Sequence, residues 1–68
     1  MAEISTKLGK NLKRIRTAKK LSQGAIARSL EVHQAYIGGI ENGKRNPTLA
    51  TIQKLAEALN VSADELIK

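Results

Sequence analysis

Apolar residues recur at helical spacing in the first third of the chain. Leu8, Leu12 and Ile15 stand at positions i, i+4 and i+7 among lysines and arginines. This pattern predicts an amphipathic helix over residues 5–19, with one apolar stripe facing a core.

Two shorter helices are predicted next. Ser22 is a good N-cap for a helix over residues 23–30, and a further helix is predicted from about His33 to Asn42. Gly43 is well placed to end that third helix in the left-handed conformation. The predicted inward-facing residues of the two helices are Ile26, Ala27, Leu30, Ile37 and Ile40.

The last third of the chain predicts two more helices after a loop that contains Gly and Pro. Thr48 is placed to cap the fourth helix, and residues 62–65 have the form of a capping box. Val61 and Leu66 are spaced as a hydrophobic staple, so a last helical turn is predicted to begin at Ala63. The apolar face of the fourth helix is predicted to consist of Leu49, Ile52, Leu55, Ala56 and Leu59. Because no strand pattern occurs, we expect an all-α fold of five helices around one core.

The composition limits the function classes. A chain of 68 residues predicts a single domain over residues 1–68, and such a size rarely holds an enzymatic cleft. There is no Cys and one His, so a disulfide framework, a Cys/His zinc site and a thiol nucleophile are excluded. No acid/base pair or Gly-rich phosphate loop stands out, so we expect neither catalysis nor a cofactor. Without a long apolar run or a signal peptide, the expected location is the cytoplasm, with no membrane partner.

The positive charge is concentrated in one half of the chain. The formal net charge is +6, and residues 1–30 hold eight basic side chains against the single acidic Glu3. A local positive field attracts polyanions, either nucleic acid or an anionic membrane surface. The apolar stripe of the first helix is narrow and lacks aromatic residues, which favours packing into a core over membrane insertion.

The second and third predicted helices have the features of a helix-turn-helix over residues 23–42. They are short, a tight turn separates them, and Ala27 supplies a small residue where they cross. Packing of the third helix through its isoleucines leaves four outward residues, Gln34, Ala35, Gly38 and Gly39. Polar and very small groups are what a helix needs on the face that enters the major groove.

These features resemble a known family. With LSQGAIARSL at residues 21–30 and YIGGIENGKRNPTLATIQKLAEALNVSADEL at residues 36–66, the chain resembles the helix-turn-helix of lambdoid repressor and Cro proteins and of XRE-type bacterial regulators. The run at residues 36–41 is similar to restriction-modification controller proteins and to small phage or chromosomal repressors. The resemblance implies a compact five-helix, repressor-type domain. It also implies a regulator that binds a pseudo-palindromic operator on double-stranded DNA as a homodimer, without a small-molecule effector domain.

The resemblance further implies roles for individual residues. Gln23 matches a glutamine that bonds a phosphate and braces a base-reading glutamine, here Gln34. A Gln amide can form a bidentate pair with adenine, and Ala35 can touch a thymine methyl group. Asn42 and the backbone near Gly43 match phosphate-contacting positions. Lys44 and Arg45 match basic loop residues that grip the DNA backbone or reach a base, and Asn46 completes this predicted DNA-binding loop.

Two further positions complete the predicted site. The resemblance assigns Arg16 and Glu41 to a structural salt bridge that ties the first helix to the end of the third. His33 stands at an N-cap where the family more often has Ser or Thr. Capping or simple solvent exposure on one side, and a phosphate or base contact on the other, both remain open for it. A metal role is not expected.

The chain departs from the family pattern at four positions. Glu31 stands where Gly is frequent, so we expect a positive φ at a cost of about 1 kcal/mol. Gly24 replaces a better helix former. Gly38 and Gly39 either let DNA approach closely or permit close helix packing. With these two positions bare, we expect recognition to concentrate at the start of the third helix and in the loop after it.

One other function class and one surface remain as hypotheses. An antitoxin or protein-interaction module could use the same fold, although it usually needs a segment outside the DNA-binding domain. Dimerisation is predicted to use the C-terminal end of the chain. The residues predicted for that surface are Leu59, Val61, Leu66 and Ile67.

Overall fold

The computed structural model describes the backbone of residues 2–68 and the side chains of residues 4–68, and it is all-helical over that range. Its helices are α1 (Ala2–Ala18), α2 (Gln23–Leu30), α3 (Gln34–Glu41), α4 (Leu49–Leu59) and α5 (Ala63–Ile67). The predicted fold class is therefore confirmed. The largest difference in bounds is at α1, which begins three residues before the predicted start. No helix within residues 2–68 has the length and apolarity needed to cross a membrane.

One cluster of buried side chains joins all five helices. It consists of Leu8, Leu12, Ile15, Ile26, Ala27, Ile37, Ile40, Ile52, Leu55, Ala56, Leu59 and Leu66. The prediction for Leu49 is wrong, because its side chain is 65% exposed. Leu49 is the first residue of α4, and there the helix extends past the core instead of lying against it.

Four helices end in the same way, with one residue in the left-handed conformation. At the end of α2, Glu31 has φ 60°, and its N–H donates to the Arg28 carbonyl at 3.2 Å. The N–H of Val32 then donates to the Ala27 carbonyl at 3.0 Å, which completes a Schellman motif. The same pair of bonds follows α1, α3 and α4, where the left-handed residues are Lys20, Gly43 and Asn60. The positive φ values predicted at Glu31 and Gly43 are confirmed.

The helix starts follow the sequence prediction only in part. Ser22 accepts a hydrogen bond from the Ala25 N–H at 3.0 Å, and Thr48 accepts one from the Thr51 N–H at 3.2 Å, as predicted. The capping box at residues 62–65 is not formed, because the Ser62 side chain makes no cap hydrogen bond. Instead, the Glu65 N–H donates to the Ser62 carbonyl at 3.1 Å, and the Glu65 carboxylate pairs with Lys68.

The C-terminal helix belongs to the core of the monomer. Leu59 and Leu66 are 1% and 0% exposed, so the prediction that they form a dimer surface is wrong. The reason is that α5 packs against α1, where the Asn11 Nδ2 group donates to the Leu66 carbonyl at 2.9 Å. Val61 is half-buried against the same core, and Ile67 is 41% exposed.

A buried glycine lets α1 approach the end of α3. A Cβ atom at Gly9 would lie 2.4 Å from the Ile40 carbonyl oxygen and 2.6 Å from that of Glu41. Both distances are too short for any side chain. Gly9 and Arg16 are seven residues apart and share one face of α1, so this close approach also brings Arg16 towards α3.

We predict that Gly9→Ala destabilises the protein even though Ala is the better helix former. The new methyl group must push α1 away from two backbone carbonyls, and overpacking of this kind costs about 1–3 kcal/mol. The measurement is urea unfolding followed by far-UV circular dichroism. Gly24→Ala is the matched control, because the nearest atoms would lie at 3.7 Å and the variant should gain up to about 1 kcal/mol. Equal effects of the two substitutions would contradict the close approach.

Candidate DNA-binding site

The site is built on a buried ion pair between α1 and α3. The Arg16 Nε group donates to Glu41 Oε2 at 2.5 Å, and the Arg16 Nη2 group donates to Glu41 Oε1 at 3.1 Å. A third hydrogen bond runs from Arg16 Nη1 to the Leu21 carbonyl at 2.8 Å. The Glu41 side chain is 3% exposed and that of Arg16 12%, so both charges are largely removed from water. The structure thus brings together the two residues assigned to a structural salt bridge.

A chain of amides leads from this ion pair to the start of α3. The Gln23 Nε2 group, on the first residue of α2, donates to Glu41 Oε1 at 3.0 Å. The Gln34 Nε2 group, on the first residue of α3, donates to Gln23 Oε1 over a longer distance of 3.4 Å. We call the chain Arg16, Glu41, Gln23 and Gln34 the polar relay.

The polar relay fixes which way each amide faces. An ionised carboxylate can only accept hydrogen bonds, so Gln23 must turn its NH2 group towards Glu41. Its carbonyl oxygen then faces Gln34, which must present an N–H in turn. Gln34 keeps its carbonyl oxygen and one N–H free of the relay, and its side chain is exposed at the start of α3.

The carboxylate of Glu41 stays ionised despite its surroundings. Burial raises its pKa, but the hydrogen bonds from Arg16 and Gln23 and the positive charges of Arg16 and Lys13 lower it by more. The net pKa of Glu41 lies below its ordinary value. The hydrogen bond to Glu41 raises the pKa of Arg16 against the effect of burial, so both partners remain charged at neutral pH.

The two glycines of α3 have different surroundings. A Cβ atom at Gly38 would lie 3.5 Å from Gln23 Oε1, an ordinary contact, so the Gln23 amide crosses α3 at this point. A Cβ atom at Gly39 would lie 2.9 Å from Arg45 Cγ. The sequence analysis expected the helix surface at Gly39 to be uncovered. Instead, the Arg45 side chain folds back over it.

The other predicted site residues lie on the surface around α3. His33 makes no side-chain cap hydrogen bond, so the capping role considered for it is absent. Asn42 is the C-cap of α3, and its backbone N–H donates to the Gly38 carbonyl at 3.0 Å. The exposed residues of the predicted site are His33, Gln34, Ala35, Asn42, Lys44, Arg45 and Asn46.

Sequence reasoning missed the role of Gly9 and the contact between Tyr36 and Arg45, although it indicated that Tyr36 packs against the core. Gly9 carries the close approach of α1, yet a single helical glycine among basic residues gives no signal for it. Tyr36 lies beneath the Arg45 guanidinium, whose Cζ atom is 5.6 Å from the ring centroid. A Tyr and an Arg nine residues apart, on a helix and in the following loop, would have suggested this contact only once the loop path was known.

Known proteins match both the sequence and the fold. The HTH_3 helix-turn-helix family model matches residues 12–66. The control protein C.MunI of a Mycoplasma species is 36% identical over 67 residues, which cover 97% of this chain and 90% of that protein. The restriction-modification controller protein C.AhdI of Aeromonas hydrophila superposes with a TM-score of 0.86 at 44% identity, over 91% of this chain and 94% of that one.

A third relative has been solved together with DNA. The controller protein C.Esp1396I, as a tetramer in complex with its natural 35-base-pair operator, matches with a TM-score of 0.80 at 27% identity, over 96% of each chain. The chain therefore belongs to the HTH_3 helix-turn-helix family, in agreement with the XRE-type resemblance of its sequence. It is a DNA-binding transcriptional regulator, and the members of its family are regulators rather than enzymes.

We predict that Glu41 makes the protein less stable at acidic pH than at neutral pH. The pKa of Glu41 is lower in the folded state than in the unfolded state. Its contribution to the free energy of unfolding is therefore complete above the unfolded pKa, about 4.3, and is lost as the pH falls through the folded pKa. Glu41→Gln should lower the free energy of unfolding at pH 7 by about 3 kcal/mol or more. The variant should also lose less stability than the wild type as the pH falls below about 5. Urea unfolding at a series of pH values measures both effects.

The control for this experiment is Glu57→Gln, which removes an exposed carboxylate on α4. That variant should follow the wild-type pH dependence closely. A Glu41→Gln variant with an unchanged acid dependence would show that the buried pair does not supply it.

Proposed function

We propose that residues 1–68 form a single DNA-binding domain that regulates transcription by placing α3 in the major groove of a specific operator. The observation that carries this proposal is the polar relay, which connects a buried ion pair to an exposed amide at the start of α3. A relay anchored on a buried ion pair restrains the exposed side chain at its other end, which would otherwise be more mobile. Such order has a use where the side chain must meet a partner of fixed geometry, such as a base edge.

Gln34 is the proposed base-reading residue. With one N–H directed to Gln23, it retains a carbonyl oxygen and a second N–H for DNA. Adenine presents an N7 acceptor and an N6 donor in the major groove, which complement these two groups. Because the bond to Gln23 is long, a small movement of Gln34 towards the base would cost little.

The remaining contacts are assigned by their exposure and chemistry. Ala35 has a methyl group suited to the C5-methyl group of thymine, and His33 lies beside it at the same end of α3. Gln23, through its second N–H, and Asn42 can donate to phosphates. Lys44 and the exposed residues after it, Arg45 and Asn46, supply charge and hydrogen-bond donors for the DNA backbone. Gly38 allows the backbone of α3 to lie close to the bases.

Two copies of the chain are proposed to act together on DNA. A pseudo-palindromic operator matches a two-fold dimer, with each α3 in one of two successive major grooves about 34 Å apart. The C.Esp1396I relative, solved as a tetramer on its operator, supports a multimeric arrangement for this chain as well. We place this activity in the cytoplasm, for a protein encoded by a bacterium or by a phage, and assign it no catalysis.

We predict that two single substitutions separate base reading from phosphate binding. Gln34→Ala should weaken operator binding by about 1–3 kcal/mol and relax the preference at one base pair. Lys44→Ala should weaken binding to all sequences alike and lower the slope of log K against log salt by about 1. The measurement is fluorescence anisotropy on an operator obtained by selection from random DNA. If Gln34→Ala leaves the preference intact, Gln34 does not read a base.

We predict that the spacing of the two half-sites controls affinity. Inserting about five base pairs between them turns one half-site to the opposite side of the duplex, so a dimer can no longer contact both. Inserting about ten base pairs keeps the half-sites on one side and serves as the control for length. Electrophoretic mobility shifts should show cooperative binding lost with the first insertion and better retained with the second. Identical binding to both operators would argue for independent monomers.

A further inference from the structure

The side chain of Arg45 is exposed, but it lies along α3. Its Cγ, Nε and Cδ atoms are 2.9, 3.4 and 3.7 Å from the position that a Cβ atom of Gly39 would occupy. Its guanidinium lies over the ring of Tyr36, with Cζ 5.6 Å from the centroid. The stem and the head of the side chain thus rest on two residues of α3 that are three positions apart, on one side of the helix. We call Gly39 and Tyr36 the arginine seat.

Gly39 is suited to this place because it has no side chain. A methyl group at Gly39 would meet Arg45 Cγ at 2.9 Å, and Cγ is the second carbon of the side chain and not its mobile end. The side chain would have to leave the helix surface to relieve that contact. Gly38 differs, since a methyl group there would make only an ordinary contact with Gln23 at 3.5 Å.

The backbone holds the loop in the position that the seat requires. Gly43 has φ 73°, which only glycine adopts without strain, and the Lys44 N–H donates to the Gly39 carbonyl at 2.8 Å. This bond turns the chain back along α3 directly before Arg45. The backbone bond to Gly39 and the contact of the Arg45 aliphatic carbons with Gly39 are therefore on the same turn of α3.

We infer that Gly39 and Tyr36 are positioning residues that order Arg45 beside the recognition helix before DNA arrives. This inference rests on the proposed function, because the partner that benefits is the DNA bound by α3. An arginine side chain has many rotamers, and ordering it at the moment of binding opposes association. A guanidinium already held on an aromatic face keeps its planar fork free at the edges for phosphate or guanine. Gly39 thus acts through Arg45, whereas Gly38 acts without it.

The first test is a double-mutant cycle on operator affinity. Gly39→Ala should weaken binding about two- to twelvefold, the factor that corresponds to ordering one rotamer-rich side chain. In an Arg45→Ala background, the same substitution should have no further effect, because the residue that it displaces is gone. Gly38→Ala is the matched control, and any effect it has should be the same in both backgrounds. Circular dichroism melting curves establish that each variant is folded.

The cycle separates the arginine seat from a simple steric role. If Gly39→Ala weakens binding equally with and without Arg45, Gly39 serves close approach to DNA and the inference is wrong. If Gly39→Ala leaves the affinity of the wild-type background unchanged, the inference is also wrong.

The second test uses the free protein and does not depend on DNA. Nuclear Overhauser effects between the Tyr36 ring and the Arg45 δ protons should be present in the wild type and in Gly38→Ala, and absent in Gly39→Ala. Tyr36→Phe should keep the corresponding effects, while Tyr36→Leu should release the Arg45 side chain. If these nuclear Overhauser effects are absent from the wild type, or persist in Gly39→Ala, the inference that Gly39 and Tyr36 position Arg45 is wrong. A wild-type protein with these effects but without a discrete operator would instead overturn the proposed function.

Discussion

The structure depends on how the negative charge of Glu41 is compensated inside the protein. A carboxylate that is 3% exposed is costly unless it is paired and hydrogen-bonded. Arg16 of α1 supplies a two-point ion pair, and Gln23 of α2 supplies a further donor. One side chain at the end of α3 is therefore bonded to both α1 and α2. The same bonds determine the direction in which the exposed Gln34 presents its amide.

Backbone features allow this pairing in a chain of only 68 residues. Gly9 lets α1 lie directly against the last carbonyls of α3, which places Arg16 within reach of Glu41. Schellman motifs end four helices, so the connections are short and their carbonyls are satisfied. Three of the four left-handed residues are not glycine, and they carry a local strain that the packing of the helices offsets. Gly43, the exception, opens the loop that returns along α3.

The sequence predicts the helices well because their signals are local. The spacing of Leu8, Leu12 and Ile15 and the caps at Ser22 and Thr48 are sufficient to place α1, α2 and α4. Local patterns mislead where a tertiary contact competes. Leu49 continues the apolar spacing of α4 but lies past the end of the core, and residues 62–65 have capping-box letters whose bonds are replaced by backbone and Lys68 contacts.

The site is predictable in its residue types and less so in its geometry. The helix-turn-helix resemblance indicates Arg16, Glu41, Gln23 and Gln34, but only the folded structure shows that they form one polar relay. The fold-back of Arg45 onto Gly39 depends on the loop path, which no periodicity encodes. The burial of Leu66 likewise depends on how α5 packs against α1, and so the prediction that placed Leu59 and Leu66 on a dimer surface was wrong.

The polar relay is tested most directly by the ratio of affinities for operators that carry adenine or guanine at the base pair that Gln34 is proposed to read. In the wild type, the polar relay leaves Gln34 one donor and one acceptor, so adenine should be favoured. In Glu41→Gln, an amide replaces the acceptor-only carboxylate, and Gln23 is free to present either of its groups. We expect the ratio to fall towards one in this variant. A folded Glu41→Gln protein with lower affinity but the wild-type ratio would contradict it.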